Sequence, residues 1–185
     1  MNVLLTSCGL ETETIKRAFL ERLPKQPQDV RALFIPTAAN TPDAIEVLPK
    51  CLNDLLKCGI RRENMLVYDL YDALDGPAYE TYDVIYLCGG TTAYLLRRIH
   101  ESGFREELES FLAHDGVVLG VSAGSLICAG NLPDNLGLLP CRLDVHCDDA
   151  VREKPGRYPK DAGRPIKLGN RQAILLEREA ITIIE

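Results

Sequence analysis

Five short apolar runs, Asn2–Thr6, Arg31–Ile35, Asn64–Leu70, Val84–Cys88 and Val117–Val121, alternate with segments of helical periodicity. Val84–Cys88 and Val117–Val121 are apolar at nearly every position. Strands of that kind need cover on both faces, which is the environment of a parallel sheet between helices. The intervening segments supply the helices. Glu11–Leu23 sets Ile15, Ala18, Phe19 and Leu23 near one face. Thr41-Pro42 offers a cap and a first-turn proline, and Gly59 follows a helix that runs to about Cys58. Thr92–Glu101 and Phe104–His114 read as two helices split at Gly103. This alternation predicts an α/β fold with three layers and a mostly parallel, doubly wound sheet of the flavodoxin-like kind. Beyond Leu139 the pattern loosens. Asp148–Gly169 is polar and rich in Pro and Gly, so a long surface loop is expected there. Gln172–Leu176 and Ala180–Ile184 flank Glu177-Arg178-Glu179 and predict a C-terminal hairpin. No repeat or linker divides residues 1–185, so one domain is expected.

Composition narrows the partners. Lys plus Arg number 21 against 27 Asp plus Glu, a formal charge of −6. An acidic chain offers no general positive field for nucleic acid or an anionic membrane surface, and neither is expected as a partner. A chain this long buries roughly 70% of its unfolded surface and needs no disulfide or metal to hold a core. The 7 Cys form no Cys-x-x-Cys pair, and Cys51, Cys58, Cys88 and Cys128 sit inside apolar segments. Reduced thiols in a cytoplasmic protein are the expectation. Met1-Asn2-Val3-Leu4-Leu5 runs straight into a strand without signal-peptide features, and no run reaches the roughly 18 apolar residues of a membrane span.

Gly120-Val121-Ser122-Ala123-Gly124 matches Gly-x-Ser-x-Gly, the turn that presents a nucleophilic serine between a strand and a helix. With 14 Gly and five Ser in 185 residues, chance supplies such a match roughly 0.03 times, so context must support it. Here the buried-strand signature Val117–Val121 precedes the serine, and the helix-compatible Ala123–Cys128 follows it. The bland alternative is a glycine-rich turn with a serine cap. Gly89-Gly90-Thr91-Thr92 ends the preceding strand. In a parallel sheet both turns lie at the carboxyl edge, where such folds place their sites. A Gly-Gly backbone there can aim an N–H at a developing oxyanion, together with the Ala123 N–H. A helix cap at Thr91 or Thr92 is compatible with that role. Neither nucleotide-binding glycine pattern is present, and no cofactor is called for.

A serine nucleophile needs a base, and the chain has only 3 His. His100 lies within a helix before the turn, and His114 precedes the helix-ending Asp115-Gly116. His146 closes the apolar stretch that begins at Leu138 and is the preferred base. Its alternatives are a surface histidine, or a metal ligand with Cys141, Cys147 and Asp148, whose spacing matches no zinc pattern. No metal site is therefore assigned.

The run Tyr86-Leu87-Cys88-Gly89-Gly90-Thr91-Thr92-Ala93-Tyr94-Leu95-Leu96, then Gly120–Ser125, then Leu138-Leu139-Pro140 leading to His146, resembles peptidase E. That is the aspartyl dipeptidase and cyanophycinase-related serine peptidase family, with a class I glutamine-amidotransferase-like fold. The resemblance spans most of the chain and is strongest from Gly89 to Ser125. It implies Ser122 as nucleophile, His146 as base, and Gly90 with the Ala123 N–H as oxyanion hole. It implies amide hydrolysis through an acyl-enzyme, on small peptides with N-terminal Asp. Gly89, Thr91 and Arg152 fall at substrate-binding positions, Arg152 as a partner for the aspartate carboxylate or, equally, as a solvated loop charge. Two departures stand out. The family's Gly-Gly-Asn-Thr has Thr91 in place of Asn, and its triad glutamate aligns with Asn170; Asp148 or Asp149 are the alternative acids. The connection from Ser122 to His146 is also short, as in a trimmed family member.

The sequence therefore predicts a serine-type, dipeptidase-like hydrolase acting on small peptides, with a homodimer admitted as its assembly. The departures at Thr91 and Asn170 keep a second reading, a catalytically weak binding or regulatory protein on the same fold. An α/β-hydrolase esterase is disfavoured by length and by the layout after the serine.

Overall fold

The computed structural model of the chain describes residues 2–71 and 79–185. The expected alternation is present as β1 (Asn2–Thr6), α1 (Glu13–Leu20), β2 (Ala32–Ile35), α2 (Pro42–Lys57), β3 (Met65–Val67), β4 (Val84–Leu87), α3 (Thr92–Glu101), α4 (Phe104–Ala113), β5 (Val117–Val121) and α5 (Ala123–Leu126). After α5 come β6 (Leu143–Asp144), β7 (Gly156–Pro159), β8 (Ile166–Lys167), β9 (Ala173–Leu176) and β10 (Ala180–Ile184). Local chemistry sets the helix starts. The Thr12 and Thr41 hydroxyls each accept the N–H three residues on, at 3.2 and 3.4 Å, satisfying donors that the first turn leaves free. Pro42 occupies the first turn of α2, where its missing N–H costs nothing.

Eight strands form one sheet in the order β3-β2-β4-β5-β1-β9-β10-β7. The pairings from β3 through β1 are parallel, and those from β1 through β7 are antiparallel. The inner parallel strands β2, β4, β5 and β1 carry apolar residues on both faces because both are covered. Leu4, Phe34, Tyr86 and Leu119 pack on one side with Ile15 and Phe19 of α1 and Leu55 of α2. Leu5, Leu33, Ile85 and Val118 pack on the other with Leu95 and Ile99 of α3 and Leu108 of α4.

The C-terminal hairpin is present as β9 and β10, Ile183 opposite Ile174. The segment expected to be a surface loop, Asp148–Gly169, is not irregular throughout. It contributes β7, which pairs with β10 at the sheet edge, and β8, which pairs in parallel with β6 as a separate two-stranded ribbon. Its polar composition misleads because β7 is an edge strand, alternately half-buried and exposed, and ends at Pro159, where a missing N–H is tolerated.

Candidate active site

β1 and β5 are parallel neighbours with Thr6 opposite Val121. Ser7-Cys8 and Ser122 therefore leave the sheet at the same edge. β4 flanks β5 on its other side, Leu87 opposite Gly120, and delivers Gly89-Gly90 to that edge. The Ser122 N–H donates to the Thr6 carbonyl at 3.0 Å. Ser122 itself has φ 48° and ψ −110°, a conformation that persists only where its surroundings impose it. The flanking glycines make the turn possible. A Cβ on Gly120 would lie 2.7 Å from the Gly124 carbonyl oxygen, and one on Gly124 would lie 2.2 Å from that of Leu87.

His146 arrives from the small ribbon. Parallel pairing of Leu143 with Ile166 and Asp144 with Lys167 sends both strands out in one direction. The Leu168 N–H donates to Asp144 at 2.8 Å and the Cys147 N–H to Leu168 at 2.9 Å, which sets His146 beside Gly169-Asn170. The His146 backbone has φ 58°, and its N–H donates to the Ser7 hydroxyl at 2.9 Å.

The side chains then form a line. Ser122 Oγ lies 3.0 Å from His146 Nε2, and His146 Nδ1 lies 2.9 Å from Asn170 Oδ1. If Nε2 is to accept the serine proton, the ring proton belongs on Nδ1, where Asn170 accepts it. Asp148 and Asp149 do not take this place; Asp149 pairs instead with Arg152 at 2.7 Å.

Cys8 was not anticipated from the sequence. Its Sγ lies 3.4 Å from His146 Nδ1 and 3.3 Å from Asn170 Oδ1. The His146 pKa is raised from its ordinary 6.5, chiefly by hydrogen bonding to Cys8; burial pulls it down and Asn170 adds to the rise. Only the pairing of β1 with β5 puts Cys8 beside Ser122, and strand adjacency is not written in local sequence.

Ser122, His146, Asn170, Gly89 and Gly90 line one cavity of about 430 Å³. Gly89 sits against the serine, since a Cβ there would be 3.2 Å from Ser122 Cβ. Gly90, at φ 140°, is pressed on the Ala38 carbonyl, 2.0 Å from where a Cβ would stand. The Ala123 N–H is the first of α5 and has no acceptor within the helix. From α2 come Ala44, Val47, Leu48 and Cys51. The Cys51 thiol is drawn down to about 7, first by a hydrogen bond with Cys88, against burial. Glu11 and Lys50 also line the cavity. The Lys50 ammonium pairs with Glu11 and donates to the Cys8 carbonyl at 3.0 Å. Burial opposes its charge, but the Glu11 hydrogen bond and nearby Asp54 hold its pKa above the ordinary value.

Two residues expected to bind substrate lie elsewhere. Thr91 is not part of this cavity lining; its hydroxyl donates to Asn40 Oδ1 at 2.7 Å, tying the β4 and β2 loops together. Arg152 lines a neighbouring cavity of about 350 Å³ that shares Asn170. Its guanidinium is taken by Glu185 at 2.5 Å and Asp149 at 2.7 Å, so the structure does not bring it into the cavity that Ser122 lines. Among the described residues, no group of three or more His, Cys, Asp or Glu is arranged to hold a metal ion. None of the described helices is long and apolar enough to cross a membrane.

Comparison with known proteins bears on the family and the fold. A sequence profile of Peptidase family S51 matches residues 3–135. No curated protein matches the chain. Among solved structures, one from Listeria monocytogenes EGD-e, provisionally described as a peptidase E protein, is similar with a TM-score of 0.70 and 22% identity, covering 98% of this chain and 96% of that one. A peptidase from an acI-B1 Actinobacterium is similar with a TM-score of 0.65 and 16% identity, covering 98% of this chain and 86% of the other. At those identities the two structures speak to the fold.

Proposed function

This chain belongs to peptidase family S51, and from that premise we propose that it is a serine-type peptidase that cleaves small peptides through an acyl-enzyme on Ser122. The observation that carries the reading is the contact of Ser122 Oγ with His146 Nε2 at 3.0 Å, on a turn held at φ 48°. His146 Nε2 takes the Ser122 proton as Oγ bonds to the scissile carbonyl carbon. The carbonyl π pair moves onto oxygen, where the N–H groups of Gly90 and Ala123 receive the charge. The imidazolium then gives its proton to the departing amine as the C–N bond breaks. A water molecule, deprotonated by the same Nε2, releases the acid and restores Ser122.

The cavity suggests the substrate class. It has room for a dipeptide-sized ligand, and its charged groups are the Lys50–Glu11 pair. Lys50 is suited to the side-chain carboxylate of an N-terminal aspartate and Glu11 to the free α-amino group, the two separating from each other as substrate enters. This moves the acidic-residue preference from Arg152 to Lys50. A panel of Xaa-Leu dipeptides read by mass spectrometry tests it. Asp-Leu is expected to be cleaved faster than Asn-Leu or Ala-Leu, and Lys50→Met is expected to remove that preference. Equal cleavage of all three by the unaltered protein would overturn the substrate assignment. Asn170, an amide where the resemblance to peptidase E implies an acid, favours a second reading, a ligand-binding protein with slow turnover. Saturable binding of Asp-Leu without any cleavage would select it.

A further inference from the structure

The catalytic line lacks a carboxylate, yet two groups face the Nδ1 edge of His146. Asn170 Oδ1 is 2.9 Å from Nδ1. Cys8 Sγ is 3.4 Å from Nδ1 and 3.3 Å from the same amide oxygen. The three atoms form a closed triangle. With the ring proton on Nδ1, Asn170 Oδ1 accepts both the imidazole N–H and the thiol S–H, one for each lone pair, and the sulfur stands as a second acceptor for the ring proton. An amide oxygen alone would hold the ring by one contact and leave it free to tilt about that bond.

The backbone around Cys8 is held firmly. Thr6 Oγ1 accepts the Gly9 N–H at 2.9 Å and donates to the Gly120 carbonyl at 3.0 Å. Lys50 Nζ donates to the Cys8 carbonyl at 3.0 Å. Ser7, the residue before, accepts the His146 backbone N–H. The Ser7-Cys8 pair thus grips the histidine twice, by its main chain through Ser7 and by its ring through Cys8.

Resting on the serine-peptidase reading above, we infer that Cys8 is a positioning residue of the catalytic base: with Asn170 it clamps the Nδ1 edge of His146 and supports the imidazolium in the absence of a triad carboxylate. The charged and titratable groups around this clamp are His146 itself, Lys50 and Glu11 at the Cys8 backbone, Asp54, which accepts the Leu10 N–H at 3.1 Å, and Cys51 across the cavity. Cys8→Ala leaves all of these in place and removes only the sulfur.

The experiment reads His146 directly. Long-range ¹H–¹⁵N NMR follows its ring nitrogens against pH in protein labelled at histidine, with the resonance assigned by His146→Gln. Cys8→Ala is expected to lower the His146 titration midpoint, and Cys8→Ser, whose hydroxyl can occupy the same corner, to restore part of the difference. In parallel, p-nitrophenyl acetate hydrolysis by Cys8→Ala should lose roughly ten- to hundredfold in kcat/KM, the cost of removing a hydrogen bond to a charged group. Its acid limb should move to lower pH, a shift that simple loss of packing does not produce. An unchanged midpoint in Cys8→Ala, with the variant folded by circular dichroism, overturns the inference. The serine-peptidase reading fails separately, through absence of turnover and of fluorophosphonate labelling in the unaltered protein, while the NMR titration still decides the role of Cys8.

Discussion

The residue that most distinguishes this site is Asn170. In a Ser-His-acid arrangement the acid fixes the tautomer and stabilises imidazolium. Asn170 can do the first, through its carbonyl oxygen on Nδ1, and contributes only a dipole to the second. Asn170→Asp should therefore raise kcat/KM on an activated ester by about tenfold or more, because a full charge replaces a dipole. The sign of the pH effect follows from the same charge. His146 already lies above 6.5 because Cys8 and Asn170 favour its protonated form, and only the neutral ring can act as base. The acid limb of kcat/KM should then lie above pH 6.5 in the unaltered protein and move further up in Asn170→Asp. A pH–rate profile of the two proteins checks it; a limb that moves down would contradict the account. Ser122 and His146 were legible as residues because serine and histidine are scarce here, Ser122 alone sits in a Gly-x-Ser-x-Gly turn, and His146 alone of the three histidines follows that turn. Cys8 was not, since a half-buried thiol after an N-terminal strand has no local signature of its partners.

Among the elements, the turn between β5 and α5 depends on close backbone approach. α5 rests against the end of β4, and a Cβ on Gly124 would stand 2.2 Å from the Leu87 carbonyl oxygen. Backbone on both sides leaves no flexible atom to yield. Gly124→Ala should cost about 2–3 kcal/mol in urea unfolding, at the upper end of ordinary overpacking, and should lower esterase turnover more than the stability loss alone explains, because the turn that aims Ser122 must open. A change below 0.5 kcal/mol, roughly the size of a neutral surface substitution, would show that the helix can shift freely. The inner strands of the parallel half were readable because burial on both faces leaves an unbroken apolar run, as in Val117–Val121. β7 was not readable, because an exposed edge strand carries the composition of a loop. Nor was the β6–β8 ribbon, whose strands have two residues each. That ribbon is nevertheless what brings His146 and Asn170 together.

Taken whole, the molecule assembles its site from three sources that lie far apart in the chain. The carboxyl edge of the parallel sheet supplies Ser7-Cys8, Gly89-Gly90 and Ser122. The two-stranded ribbon supplies His146 and Asn170. α2 supplies the apolar side of the cavity and Lys50. The first source follows from the fold class, since open parallel sheets carry sites at that edge. The other two depend on tertiary placement, which is why the sequence offers Arg152 as a carboxylate partner or a solvated loop charge, while the fold lines the Ser122 cavity with Lys50 and pairs Arg152 with Glu185. The central claim is that these parts make Ser122 an activated nucleophile. Intact-protein and peptide mass spectrometry after exposure to a fluorophosphonate tests it most directly. The unaltered protein should gain one adduct that maps to Ser122, and Ser122→Ala should gain none. Equal labelling of the two proteins, or an adduct that maps to another residue, would contradict it.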